Sequence, residues 1–293
     1  MLIARLIADP AALERRVEAL MAELTGSATP IAWAGMLQSG GQVIQLESPG
    51  DDLAALRTAI GRYFDSCDAI IARDAISVPQ VFVSDMDSTM IGQECIDELA
   101  DFAGLKEQVA EITERAMQGE LDFEAALRER VGLLAGLDEG AIQQCLDERI
   151  RPNDGARVLV ETLKSKGCRT ALVTGGFHHF ADVVAGQIGF ERVVGNRLEV
   201  IDGKLTGGLA GPIADSSTKL AVLREELGEV SEGAVSMGAG DGANDIPMLQ
   251  GSTYGVAYYA KPKAREAANC WIERGDLTAL LKLLDIPERD WVA

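Results

Sequence analysis

The chain has 293 residues, a formal net charge of −19 and 47% hydrophobic residues. That length leaves room for about two domains and a sizeable core, and the acidic balance argues against nucleic acid or an anionic membrane as main partner. It leaves open a local cationic site for a phosphorylated small molecule. The five cysteines (Cys67, Cys95, Cys145, Cys168, Cys270) are scattered, odd in number and without a CxxC. A disulfide framework or zinc ribbon is disfavoured, and reduced thiols in a cytoplasmic protein are expected. The opening "MLIARLIADPAALERR" carries too much charge for a signal peptide, and no apolar run approaches the roughly 20 residues of a membrane helix.

Residues 1–76 read as a small α+β unit. "MLIARLIA" predicts a strand, and Asp9-Pro10 opens a helix over "AALERRVEALMAEL". "IAWAGML" and "QVIQLES" flank Ser39-Gly40-Gly41, which predicts a hairpin turn. "DDLAALRTAIGRYF" predicts a second helix, and "AIIARDA" a last strand, for an order βαββα with that strand to follow.

From Gln80 apolar strands alternate with helices: "VFVSD", "CRTALVTGG", "GAVSMGAGD" and "TYGVAYYA" with amphipathic stretches between. The alternation predicts a doubly wound parallel sheet, which binds ligands beyond the carboxyl ends of its strands. Residues 92–150 interrupt it with charged helices, expected to sit as a cap over the end of the first strand. Arg151-Pro152-Asn153-Asp154-Gly155 restarts the core. Residues 192–213 predict strands with turns at Asp202-Gly203 and Gly207-Gly208.

Three of these strand ends carry polar motifs. Asp85 and Asp87 end the first, with side chains two apart on one face. Asp241 and Asp245 follow "VSMGAG". Gly238, Gly240 and Ala243 also fit a dinucleotide fingerprint, but no acid follows about 20 residues on, and Asp241 would repel a pyrophosphate. Two acid pairs at neighbouring strand ends call for cations. A hard divalent ion such as Mg²⁺ takes oxygen ligands and shares its shell with phosphate. Thr174-Gly175-Gly176 offers a hydroxyl and backbone N–H groups to an anion, and Lys219 is a second cation. Together they indicate phosphoryl transfer through an aspartate. Asp87 is the group expected to hold a proton, as general acid and then base. With only the adjacent His178 and His179 available, a Ser-His-Asp triad or multi-His site has little to draw on.

"DMDST", "TGG", Lys219 and "GDGAND" in this order resemble the four motifs of the haloacid dehalogenase-like phosphatases, over residues 80 to about 285. "DMDSTMIGQECIDELA", "ITERAMQGELDFEAALRERVGLL" and "GDGANDIPML" narrow the resemblance to the branch that hydrolyses O-phosphoserine in the last step of serine biosynthesis. The resemblance implies a Rossmann-like core over residues 77–293 with a helical cap at 92–150, preceded by a ferredoxin-like or ACT-like unit at 1–76, where an amino-acid ligand or homodimer contact is expected by analogy. It implies Asp85 as nucleophile and Asp87 as acid and base. Mg²⁺ would be held by the side chains of Asp85 and Asp241 and the main-chain carbonyl of Asp87, supported by Asp245. Thr174, Gly175, Lys219 and Asn244 would hold the phosphate. Glu94 would meet the substrate ammonium and Arg130 its carboxylate, with Met117 and Phe123 shielding the site. Thr174 stands where the family more often has serine, and the hydroxyl is kept. The rival readings are a phosphotransferase passing the group to another small alcohol such as homoserine, a phospho-aspartate receiver domain, and an inactive amino-acid sensor.

Overall fold

The computed structural model describes residues 1–11, 13–37, 43–117 and 120–293, the side chains of 116 and 117 excepted. The expected turn at Ser39-Gly40-Gly41 and the side chain of Met117 therefore lie outside the described residues.

The first elements are β1 (Leu2–Ile7), α1 (Leu13–Leu24), β2 (Trp33–Met36), β3 (Val43–Ser48), α2 (Leu53–Tyr63) and β4 (Asp68–Ala72). β5 (Val81–Ser84) follows, and then four helices: α3 (Cys95–Phe102), α4 (Lys106–Met117), α5 (Phe123–Leu133) and α6 (Gly140–Arg149). The alternation resumes with α7 (Ala156–Ser165), β6 (Arg169–Phe177), α8 (His178–Ile188) and β7 (Arg192–Asn196). A hairpin of β8 (Leu198–Ile201) and β9 (Lys204–Leu209) leads to α9 (Ser216–Gly228), β10 (Ser236–Gly240), α10 (Ile246–Gly251) and β11 (Tyr254–Tyr258). The chain ends through α11 (Pro262–Ala267), β12 (Cys270–Ile272) and α12 (Ala279–Leu283).

Among the described residues ten strands form one sheet, in the order β2-β3-β1-β4-β12-β11-β10-β5-β6-β7. The run from β12 to β7 is parallel. Its inner strands β12, β11, β10 and β5 are buried throughout, as in "VFVS" and "YGVAY", because helices cover both faces. From β5 the chain winds to β6 and β7 on one side, then returns through β10 to β11 and β12 on the other. The winding reverses between β5 and β10, which opens a crevice at their carboxyl ends. Asp85 and Asp241 are the first residues past those two ends.

The antiparallel strands β2-β3-β1-β4 join this sheet through β12, which pairs parallel with β11 and antiparallel with β4. Each face of the sheet carries one apolar layer through both parts. Leu6, Ala69, Val83, Ala257 and Trp271 lie on one face, and Ile70, Phe82, Val256 and Ile272 on the other. Buried Asp68 reinforces the junction. Its Oδ1 accepts the N–H groups of Glu273 and Arg274, each at 2.8 Å, and its Oδ2 that of Gly275 at 3.0 Å.

One strand carries no expectation from the sequence, and one expected turn needs correction. β12 has only three residues and gives no periodic signal, so the strand that joins the two halves is not legible as one. Gly207-Gly208 is not a turn; both lie within β9. Gly207 has φ +83°, and a Cβ there would lie 2.9 Å from the Cβ of Ala135. Glycine lets the hairpin approach the end of α5 closely. Gly136 N–H donates to Leu205 O, and Glu139 N–H to Gly203 O, so the hairpin and the helical insert are bonded backbone to backbone. Among the described residues no helix is long and apolar enough to cross a membrane.

Asp68→Ala strips the acceptors from three backbone donors. It is expected to cost about 2–4 kcal/mol, at the high end for one side chain because several donors are left unpaired. Urea unfolding should show a lower midpoint.

Candidate active site

The polar strand ends converge on a cavity of about 240 Å³ at the β5/β10 crevice. Asp85, Asp87, Glu94, Phe123, Arg130, Thr174, Gly175, Asp241 and Asn244 all line it. Core strand ends supply the floor, Glu94 comes from the residue capping the start of α3, and α5 supplies Phe123 and Arg130.

Lys219 does not line the cavity. It is 1% exposed and lies beneath it. α9 carries it there, fixed at its start by a capping box in which Asp215 accepts the N–H groups of Ser217 and Thr218. Lys219 Nζ lies 2.8 Å from Asp85 Oδ1 and also donates to Asp245 Oδ1. Burial works to lower its pKa, but Asp85 and Asp245 outweigh that, so the ammonium is held above its ordinary value. Asp245 Oδ2 accepts the N–H groups of Asp241 and Gly242, at 3.1 and 2.9 Å. Both Asp245 oxygens are thus committed to holding its neighbours. Asp85 Oδ1 takes Lys219 and the N–H of Met86, which leaves Oδ2 as the oxygen for the cavity.

Gly240 makes this packing possible. A Cβ there would lie 2.3 Å from Asp245 Cγ, so any larger residue displaces the carboxylate.

Burial pushes the carboxyl of Asp85 well above its ordinary range, with Lys219 opposing and Asp245 adding to the rise. Burial likewise raises Asp241, with Lys261 opposing. Asp87 is pushed up to about 7, first by burial and then by Glu94. Its Oδ1 is buried without a hydrogen-bond partner among the described residues. A carboxyl in that state can hold a proton near neutrality and deliver it to an oxygen placed in the cavity.

Ligand oxygens of Asp85, Asp241 and Asp245 lie within 4.8 Å of one another. The set is all oxygen and buried, which suits a hard divalent cation, and a cation there would oppose the upward push on Asp85 and Asp241. With Asp245 already occupied, Asp85 and Asp241 are the carboxylates with oxygens to give.

Thr174 Oγ1 accepts the N–H of Gly176 at 2.9 Å. The Phe123 ring lies over this loop, since a Cβ on Gly175 would be 3.3 Å from its Cζ. The helical insert is therefore closed on the core at that point. Glu94 accepts from Ser88 Oγ at 2.7 Å, and Ser88 itself takes a left-handed φ of +54° in the turn after Asp87. Arg130 reaches the cavity from the last turn of α5, half-buried, with Asp97 and Glu94 opposing the lowering that burial imposes. His178 pairs with Asp182 on α8, and neither histidine lines the cavity.

Lys261 also lines the cavity, its Nζ 3.3 Å from Asp241 Oδ2 and its N–H on the Asp241 carbonyl. Sequence reasoning missed it, although "YYAKP" places it just past the carboxyl end of β11, where the other site residues also sit. Ile96, Leu127 and Phe177 supply apolar wall that no polar motif advertises.

A family model described as haloacid dehalogenase-like hydrolase matches residues 82–250. A phosphoserine phosphatase of Streptococcus thermophilus is 43% identical over 209 residues, which cover 71% of this chain and 97% of that protein. Among solved structures, a hydrolase of the same family from Salmonella enterica serovar Typhi superposes with a TM-score of 0.82 at 26% identity, covering 97% of this chain and 99% of the other. A probable phosphoserine phosphatase from Vibrio cholerae gives a TM-score of 0.74 at 30% identity, covering 99% and 88%.

Gly240→Ala is expected to force Asp245 off Lys219 and leave a buried ammonium half-paired, at a cost of about 3 kcal/mol. Gly61→Ala in α2, where a Cβ meets nothing within 4 Å, serves as control. It should be neutral or stabilise by up to about 1 kcal/mol. Urea midpoints of the two variants check the difference.

Proposed function

The chain belongs to the haloacid dehalogenase-like hydrolase family, and from that premise we propose that it hydrolyses O-phosphoserine to serine and phosphate, the last step of serine biosynthesis. One observation carries the reading. A cavity of about 240 Å³ sets a lysine-held carboxylate beside a carboxyl that burial pushes up to about 7, with Glu94 and Arg130 lining it from the cap. A free amino acid carries one ammonium and one carboxylate, and an acid and a guanidinium are the groups that complement them. The phosphoserine phosphatase of Streptococcus thermophilus supports the same substrate.

In this reading Asp85 and Asp241, with the carbonyl of Asp87, would hold Mg²⁺, and Asp245 fixes the backbone N–H groups and the lysine beside them. Bound there, Mg²⁺ neutralises charge on the transferring phosphoryl group. Thr174, Gly175 and Asn244 receive the phosphate oxygens, and Lys219, beneath the cavity, balances the charge on Asp85. Glu94 takes the substrate ammonium and Arg130 its carboxylate, while Phe123 covers the phosphate loop. Asp85 Oδ2 attacks phosphorus as the bond to the serine oxygen breaks, and Asp87 gives its proton to that oxygen. A water then attacks the phosphorus of the aspartyl-phosphate. Asp87 takes a proton from the water, the bond to Asp85 breaks, and phosphate leaves with both carboxyls restored.

We read residues 77–293 as the catalytic core with a cap at 92–150, and residues 1–76 as an ACT-like unit. The antiparallel order β2-β3-β1-β4 suits that unit, and the sheet edge at β2, with Trp33 and Met36 exposed, suits a homodimer contact. We place the enzyme in the cytoplasm, in keeping with its five buried, unpaired cysteines.

Phosphate release from a panel of phosphorylated small molecules tests the proposal. Phosphoserine should rank well above an aryl phosphate, and EDTA should abolish turnover. Asp85→Asn should lose at least about 1,000-fold in kcat. Arg130→Met should raise KM for phosphoserine about 10–100-fold and leave the aryl phosphate little changed. An active Asp85→Asn enzyme, or equal use of the two substrates, contradicts the assignment.

A further inference from the structure

β6 does not run straight through the Thr174-Gly175-Gly176 loop. Its register with β7 is regular from Ala171 to Val173 and resumes only where Phe177 pairs with Asn196. The intervening residues bulge out of the ladder, so their backbone groups need partners elsewhere. Asn196 supplies one. Its Nδ2 donates to Gly175 O at 2.7 Å, and the side chain is almost fully buried, at 2% exposure. The orientation of its amide is dictated from the other side, because Oδ1 must accept the N–H of Ala214 at 2.8 Å.

The peptide between Gly175 and Gly176 is therefore clamped at both ends. Its carbonyl is held by Asn196, and its N–H is held by the Thr174 hydroxyl. Two glycines flank it, and glycine permits backbone rotations that other residues resist. A rotated peptide would aim a carbonyl oxygen into the anion site, where it would repel phosphate. Asn196 also reaches the other half of the cradle. Ala214 directly precedes Asp215, which caps the helix carrying Lys219.

We propose that Asn196 is a positioning residue for phosphate binding. It locks the Gly175–Gly176 peptide with its carbonyl turned from the anion site, and it ties that loop to the start of α9. This rests on the phosphate role of Thr174 and Gly175 given above.

Inorganic phosphate is the probe, titrated calorimetrically into the full chain with saturating Mg²⁺. Mn²⁺ affinity without phosphate is the second readout. Asn196→Asp keeps the acceptor for Ala214 but sets a carboxylate oxygen against Gly175 O. Asn196→Ala removes the amide, and if it fails to fold, Asn196→Asp carries the test. Each variant should raise the phosphate Kd about tenfold or more, leaving Mn²⁺ affinity unchanged. A phosphate Kd within about twofold of wild type overturns the inference. A parallel loss of Mn²⁺ affinity overturns it too, because that marks general disruption of the site. Thr174→Val separates this inference from the one beneath it. If Thr174→Val leaves phosphate binding intact, the cradle itself is wrong. If it weakens binding while the Asn196 variants do not, only the role of Asn196 falls.

Discussion

Lys219, buried between Asp85 and Asp245, is the interaction on which the site depends. Burying two carboxylates so close is unfavourable, and a shared ammonium offsets it only if the geometry is tightly held. Three features hold it. The capping box at Asp215 fixes where α9 begins, Gly240 leaves room for the Asp245 side chain, and the N–H groups of Asp241 and Gly242 fill the second Asp245 oxygen. What remains uncommitted is one oxygen of Asp85 and the carboxylate of Asp241, the latter in partial contact with Lys261. The protein thus keeps its structural charges satisfied and leaves its reactive ones facing the cavity.

The sheet explains why these residues meet. The winding reverses between β5 and β10, so two strands distant in sequence end side by side with an acid just past each. The insert between β5 and β6 must then pass over those ends, and its closure is visible where Phe123 covers Gly175. The hairpin of β8 and β9 is bonded to the insert at Gly136 and Glu139, so the cap rests on two supports, the β5 exit and this hairpin. The N-terminal strands extend the same sheet through β12. Both apolar layers run across the junction, so the first 72 residues share a continuous core with the rest.

The alternating sheet was legible because its inner strands, such as β5 and β11, are buried on both faces and read as apolar runs. The acids were legible because each follows such a run. β12 was not, since three residues leave no pattern, and Gly207-Gly208 looked like a turn because the close approach of α5 cannot be seen locally. Lys219 could be named from its place in the chain, but its burial beneath Asp85 depends on how α9 packs against the sheet. Glu94 and Arg130 stand on amphipathic helices among many like charges. Only resemblance singled them out, and the structure brings them to the same cavity. Lys261 and Asn196 escaped notice for opposite reasons, the first as one lysine in a polar loop and the second as a buried amide whose partners lie on β6 and before α9.

The central claim is that the oxygen Lys219 leaves free on Asp85 takes the phosphoryl group. Enzyme mixed with phosphoserine and Mg²⁺, quenched in acid within the first turnovers and reduced with borohydride, tests it directly. Peptide mass mapping should find the Asp85 carboxyl, and no other, reduced to the primary alcohol, in an amount that follows the phosphoserine supplied. An unreduced Asp85 during steady turnover, or reduction at another carboxylate, would contradict the account.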